Sequence, residues 1–323
     1  MYSKDGTYEK ITIYDGQFSG RPTRFFQQDR SGSGAMFLDS RDPKDLVYDY
    51  TKYYSLYKVF NPEIQRALVI GGGAYSIPKA LLADLPHATI DVSEIEPSLS
   101  GLAQEYFGLS DDPRLHNYTD DGRRLLHDTD KNYDLIFSDV YYSLFSIPAH
   151  FTTEEFFQIA KEKLNEDGVF IANMIGDLSR QQPSFMMSEI KTFQTVFPNS
   201  YFFAVESPER TESQNIIFVA YNSDRRIDLN VSEIITHVDP TIRSLRDKVI
   251  NIDRFDLAPY PIMTDNYSPV EYLSGQVLQR NFSQKDFFDG EEMVAVIEQQ
   301  VRSGPRYPTA VGHKRVQDFL VAE

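Results

Sequence analysis

The sequence has no cysteine among its 323 residues. This excludes disulfides, thiolate metal ligands and a cysteine nucleophile together, and it suits a reducing compartment, so a cytoplasmic protein is expected. Long apolar runs are missing too: nothing approaches the ~20 residues of a membrane-spanning helix, and no signal-peptide pattern opens the chain. Positive charge is scarce, with 32 Lys and Arg against 48 Asp and Glu, a formal net charge of -16. Nucleic acid is therefore not an expected partner, because no basic excess is available to neutralise phosphates. A cationic small molecule would be attracted, although acidity also serves solubility alone. The six histidines show no ligand spacing, so no metal is expected. Internal repeats and low-complexity tracts are absent.

What is present is a globular composition, 41% hydrophobic and 25% charged, enough for a buried core. From Tyr8 to Leu38 polar and apolar residues alternate between turn signals, which predicts a small antiparallel sheet. Helical spacing follows over Asp42–Phe60, with Asp42 and Pro43 as start signals. Short apolar strands then alternate with helices. Strands are predicted at Ala67–Ile70, Thr89–Glu94, Arg114–Tyr118, Leu135–Asp139 and Gly168–Met174, with helices starting near Ser76, Pro97, Gly122 and Thr152. That alternation predicts an α/β protein with a Rossmann-like, doubly wound, mainly parallel sheet. A helix around Ser188–Val196 and a hairpin of Tyr201–Glu206 with Asn215–Tyr221 complete it. The expected division is an N-terminal β-sheet domain at 1–41, a nucleoside-binding catalytic domain at 42–222 and a helical extension at 223–323.

Gly71, Gly72 and Gly73 lie between a strand and a helix, the context in which a glycine-rich loop cradles a ligand. Glycine removes the Cβ and lets a ligand press on the backbone. The third glycine of the dinucleotide fingerprint is replaced by Ser76, and Glu94 closes the next strand, where a carboxylate receives a ribose diol. A nucleoside without phosphates, such as S-adenosylmethionine, asks less of the helix N-terminus than NAD does. A tight strand–helix turn with no ligand would use the same glycines. Asp121, before Gly122, either accepts from an adenine amino group or caps the next helix. Asp139 ends the fourth strand, where ligands gather in such sheets. His150 reads as a helix-entry histidine bonded to backbone, with a role as base the alternative.

The runs YEKITIYDG, RALVIGGG, VSEIEP, DDPRLHNYTDDGRRLL, YDLIFSDV, SIPAHFTTEEFF and LNEDGVFIANM occur in order. On these residues, from about Tyr8 to about Leu273, the chain resembles the spermidine synthase (polyamine aminopropyltransferase) family, a branch of the class I S-adenosylmethionine-dependent methyltransferase fold. The resemblance implies that Gly71–Gly73, Glu94 and Asp121–Gly122 hold the nucleoside of decarboxylated S-adenosylmethionine. It implies attack of a polyamine amine on a carbon beside the sulfonium, releasing methylthioadenosine, and an oligomer, dimer or tetramer. TDNYSPVEYL resembles a late motif of members fused to membrane segments, so the chain is expected to be the soluble part of a longer membrane-anchored protein.

Two positions depart from the family pattern. Ala74 follows the glycines where an Asp is usual, and Asp139-Val140-Tyr141-Tyr142 ends in Tyr142 where a second Asp is usual. A tyrosine, with an ordinary pKa of about 10, is a poor base near neutrality. Three readings stay open. The first is an aminopropyltransferase with a rearranged site, using Asp139, Tyr142 or Asp265, with Glu271 a further candidate. The second is an S-adenosylmethionine-dependent methyltransferase in which Tyr141, Tyr142 and Phe145 face a cation. The third is an inactive nucleoside-binding homologue.

Overall fold

A computed structural model describes residues 2–29, 31–141, 147–223 and 226–282. It separates two compact units, residues 1–277 and 278–323; of the second only 278–282, the end of the helix Val270–Phe282, are described.

Four strands near the N-terminus form an antiparallel sheet in chain order: β1 (Tyr2–Asp5), β2 (Lys10–Phe18), β3 (Arg21–Gln28) and β4 (Ser31–Phe37). Ser19 and Gly20, at φ 51° and 78°, close the β2–β3 turn, the left-handed pair that matches the twist of a two-residue hairpin. The sheet starts earlier than the alternation from Tyr8 indicated.

Seven further strands make the main sheet. These are β5 (Arg66–Ile70), β6 (Thr89–Ser93), β7 (Leu115–Tyr118), β8 (Tyr133–Ser138), β9 (Leu164–Gly176), β10 (Ser200–Ala204) and β11 (Gln214–Tyr221). Their order is β7-β6-β5-β8-β9-β11-β10, parallel from β7 through β9, with β11 antiparallel to both its neighbours. The doubly wound sheet expected from the strand–helix alternation is present. Its strands are apolar on both faces because both are covered: Ala67 and Val69 enter one core, Leu68 and Ile70 the other. The helices Ser76–Asp84 and Leu99–Tyr106 pack into the first core, and Glu154–Glu162 and Phe185–Val196 into the second.

The Asp42–Phe60 expectation needs correction. Residues 42–48 are not helical; a 3-10 helix runs over Asp49–Leu56 and a single α turn over Tyr57–Phe60. The burial of five consecutive residues, Tyr53 through Tyr57, explains this, because an amphipathic α-helix presents a single stripe. The helix expected at Ser188 begins at Phe185, capped by the Ser184 hydroxyl, which accepts from Met187 N. Among the described residues no helix is long and apolar enough to cross a membrane.

Candidate active site

Strand order reverses between β5 and β8, so the loops leaving their carboxyl ends part and leave a crevice, the usual ligand position in such sheets. A cavity of about 430 Å³ opens there, between the loops after β5, β6, β7 and β8 and the inner face of the N-terminal sheet.

The glycine loop forms its floor for steric reasons. Gly71 has φ +91°, and a Cβ on it would stand 2.2 Å from the Asp139 carbonyl oxygen. Only glycine tolerates both the conformation and the approach. The amides of Gly72 and Gly73 donate to Glu94 Oε2 at 2.8 and 3.2 Å, and Glu96 N donates to Glu94 Oε1 at 2.9 Å. Burial pushes the Glu94 carboxyl above its ordinary value, and these three amides pull it partway back. Glu94 therefore fixes the loop's shape as well as facing the cavity. Tyr75 adopts φ 56°, a left-handed conformation costing roughly 1–2 kcal/mol in a non-glycine residue. Its ring is 1% exposed and its amide donates to Gly72 O at 2.8 Å, which offsets that cost. Ala74 is buried against β4: a Cβ on Gly34 would approach the Ala74 Cβ to 2.6 Å.

Asp121 caps the helix Gly122–Asp128, its Oδ1 accepting from Arg124 N at 2.9 Å. His150 Nε2 donates to Asp121 Oδ2 at 2.9 Å. Burial raises the Asp121 carboxyl, yet the His150 and Arg124 bonds outweigh it and leave the group below its ordinary value. This corrects the reading of His150 as bonded to backbone: its ring binds a carboxylate, while its carbonyl accepts from Arg123. Gly122 has a packing reason of its own, since a Cβ there would stand 2.1 Å from Ile70 Cγ2.

Asp139 lies between β8 and the cavity. Asn173 Nδ2 donates to its Oδ1 at 2.9 Å, and the Tyr50 hydroxyl bonds to it from the 3-10 helix. Burial pushes its carboxyl upward, and those two donors lower it partway. The Tyr141 hydroxyl accepts from Ile175 N at 2.6 Å. Asp265 lies away from the cavity lining: Arg123 binds it with both guanidinium nitrogens at 2.7 and 2.6 Å, and Thr153 donates to it at 2.8 Å. Glu271 does not line the cavity either. Tyr142 and Phe145 lie outside the described residues.

The structure thus brings Gly71–Gly73, Glu94, Asp121, Gly122 and Asp139 to one cavity. It adds Glu9, Tyr50, Asn173 and Asn215, which the sequence reading missed. An asparagine inside the otherwise apolar VFIANM strand was the available signal, because a buried amide needs partners. Among the described residues every charged side chain lining the cavity is a carboxylic acid, Glu9, Asp49, Glu94, Glu96, Asp121 and Asp139 included, and no lysine, arginine or histidine lines it. Glu9, crowded by burial and by Asp29, Glu94 and Glu96, is pushed up to about 7.

Residues 55–231 match the spermine/spermidine synthase domain. A polyamine aminopropyltransferase of Vibrio vulnificus is 28% identical over 210 residues, 64% of this chain and 67% of that protein. A probable polyamine aminopropyl transferase of Bifidobacterium longum is 31% identical over 148 residues, 46% of this chain and only 32% of that protein. Among solved structures, a probable spermidine synthase from Corynebacterium glutamicum superposes with TM-score 0.67 at 18% identity, covering 83% of this chain and 97% of that one. The spermidine synthase of Thermotoga maritima gives 0.54 at 20% identity, covering 70% and 73%. At these identities the structural likenesses speak for the fold.

Proposed function

This chain belongs to the spermine/spermidine synthase family, and within it we propose a transferase that moves an aminopropyl group from decarboxylated S-adenosylmethionine to an amine acceptor. The observation that carries the reading is the charge of the cavity, whose charged lining is entirely acidic among the described residues. Decarboxylated S-adenosylmethionine presents a sulfonium and an ammonium and no carboxylate. The intact form adds a carboxylate that no basic side chain among the described residues would meet, and a polyamine acceptor is itself cationic. A solved spermidine synthase is described in complex with the transition-state analogue AdoDATO; it is 19% identical and superposes with TM-score 0.54.

In this reading the glycine loop leaves room for the nucleoside, Glu94 receives the ribose hydroxyls with lone pairs its amide contacts leave over, and Asp121–Gly122 border the adenine. Asp139 is the base. An ammonium cannot attack carbon, so a proton must first leave the acceptor nitrogen. A carboxyl raised by burial suits that task better than a fully solvated one. The proton passes to Asp139, the nitrogen–carbon bond forms, and the carbon–sulfur bond breaks with its electron pair on sulfur as methylthioadenosine leaves. Ala74 packs on β4 and still lines the cavity, so at that point of the lining no carboxylate stands. The remaining acids around the cavity, Glu96 and Asp121 among them, supply negative charge to it, both held below their ordinary values.

One observation favours a second reading, methyl transfer from S-adenosylmethionine: with Ala74 in the loop, no carboxylate stands at that point to repel the cofactor's own. Incubating the chain with decarboxylated S-adenosylmethionine and putrescine, and separately with S-adenosylmethionine and putrescine, separates them. Methylthioadenosine and a lengthened amine from the first mixture are expected. S-adenosylhomocysteine from the second, with no product from the first, would overturn aminopropyl transfer.

A further inference from the structure

Behind Asp139 runs a line of amides that the reaction scheme above does not use. Asn215 Nδ2 donates to Asn173 Oδ1 at 2.9 Å, and Asn173 Nδ2 donates to Asp139 Oδ1 at 2.9 Å. Asn173 pairs with Ile217 across the β9–β11 ladder, so Asn215, two residues along β11, is its diagonal neighbour on the same face. Asn173 is 3% exposed, on a strand whose neighbours Ala172 and Met174 belong to the core. An amide buried that deeply costs free energy unless both its ends are satisfied, and here Asn215 satisfies the oxygen and Asp139 the nitrogen.

The order of donors matters. Only the nitrogen of a carboxamide donates, so an Asn215 that donates obliges Asn173 to turn its carbonyl towards β11. Its nitrogen then faces Asp139. Were the Asn173 amide reversed, two oxygens with no proton between them would meet at the carboxylate. Asp139 is meanwhile held from the backbone side, its amide donating to Ile70 O at 2.9 Å and its carbonyl abutting Gly71.

We propose that Asn215 and Asn173 are positioning residues that lock one oxygen of Asp139 in its anionic, hydrogen-bonded form and leave the other to take the acceptor's proton. This rests on Asp139 being the base. The site has a single Asp at the end of β8, so its orientation must come from neighbours on other strands. The titratable groups facing Asp139 are the Tyr50 hydroxyl from the 3-10 helix and the Tyr141 hydroxyl from its own loop, with Glu189 of the helix Phe185–Val196 facing Tyr141 in turn. Burial raises both tyrosines well above their ordinary value, so neither changes charge in the range where Asp139 titrates.

The full chain labelled with 13Cγ-aspartate provides the test, Asp139 being assigned by the signal that Asp139→Asn removes. In Asn215→Leu the Asn173 amide is free to turn. The Asp139 carboxyl loses a donor to its charged form and titrates higher, by about half to one pH unit. The acid limb of the rate profile moves up with it, in step with the shifted carboxyl signal. Asn215→Thr, which introduces a β-branched residue suited to a strand but too short to reach Asn173, gives the same shift if the leucine variant fails to fold. A folded variant whose Asp139 titrates as in wild type overturns the relay. If wild type turns over no amine while the titration shift is present, the transferase reading fails and the relay stands.

Discussion

Gly34 and Ala74 meet where β4 of the small sheet presses on the glycine loop of the large one. A Cβ added at Gly34 would lie 2.6 Å from the Ala74 Cβ and 3.2 Å from its amide nitrogen, and neither backbone nor methyl can swing aside as a long side chain would. Gly34→Ala is therefore expected to lower stability by roughly 1–3 kcal/mol in urea denaturation, the usual range for overpacking. It should also weaken nucleoside binding, because the loop must move. Unchanged stability and affinity would show that the loop does not rest on β4. Some of these residues were legible in the sequence and some were not. Gly71–Gly73, Glu94 and Asp139 announce themselves by standing at the ends of short apolar runs, and strand ends meet at one edge whatever the details of packing. Tyr50, Asn173 and Asn215 come from three elements far apart in the chain, and only the β9–β11 register and the lie of the 3-10 helix bring them to Asp139. Asp265 read as a spare carboxylate in a proline-rich loop; nothing in its neighbourhood of sequence revealed that Arg123 would hold it.

At the scale of elements, the helix Phe185–Val196 carries an anomaly. Its outer neighbours are a cluster of rings, Phe193 lying 5.0 Å from both Phe157 and Phe197 and 5.3 Å from Phe218 between centroids. Glu189 sits on that helix with 0% exposure, and neither carboxyl oxygen has a hydrogen-bond partner. Burial raises its carboxyl well above the ordinary value and favours the protonated form. The sign of the consequence follows by linkage. A group raised in the folded state gives its full contribution below the unfolded value and loses it as pH climbs towards the folded value. Glu189→Gln lacks that proton, so its stability relative to wild type should grow with pH above about 4.5, by at most about 1.4 kcal/mol per pH unit. Denaturation midpoints at pH 5 and pH 8 check this, and a difference between the two proteins that does not change with pH would contradict it. Sequence reading located this helix but began it three residues late, passing over Pro183 and the capping Ser184 that mark its start. It overestimated the helix at Asp42–Phe60 because helical spacing of tyrosines says nothing of how many sides of the element will be buried.

At the scale of the molecule, the charge of -16 has a local counterpart. The cavity's charged lining is acidic among the described residues, while basic side chains such as Arg123, Lys131 and Lys58 are engaged elsewhere with Asp265, Asp91 and Asp84. The composition could indicate attraction for a cation but not where it would be felt; the fold concentrates it at the switch point between β5 and β8. Titration calorimetry of methylthioadenosine with the wild-type chain and with Glu94→Ala tests the central claim, that this cavity is a nucleoside site built on the glycine loop. Methylthioadenosine should bind the wild type, and the variant should bind it about 1–3 kcal/mol more weakly, as expected for loss of a charged hydrogen-bond acceptor. Equal affinity in a folded Glu94→Ala protein, or no binding to the wild type, would contradict it.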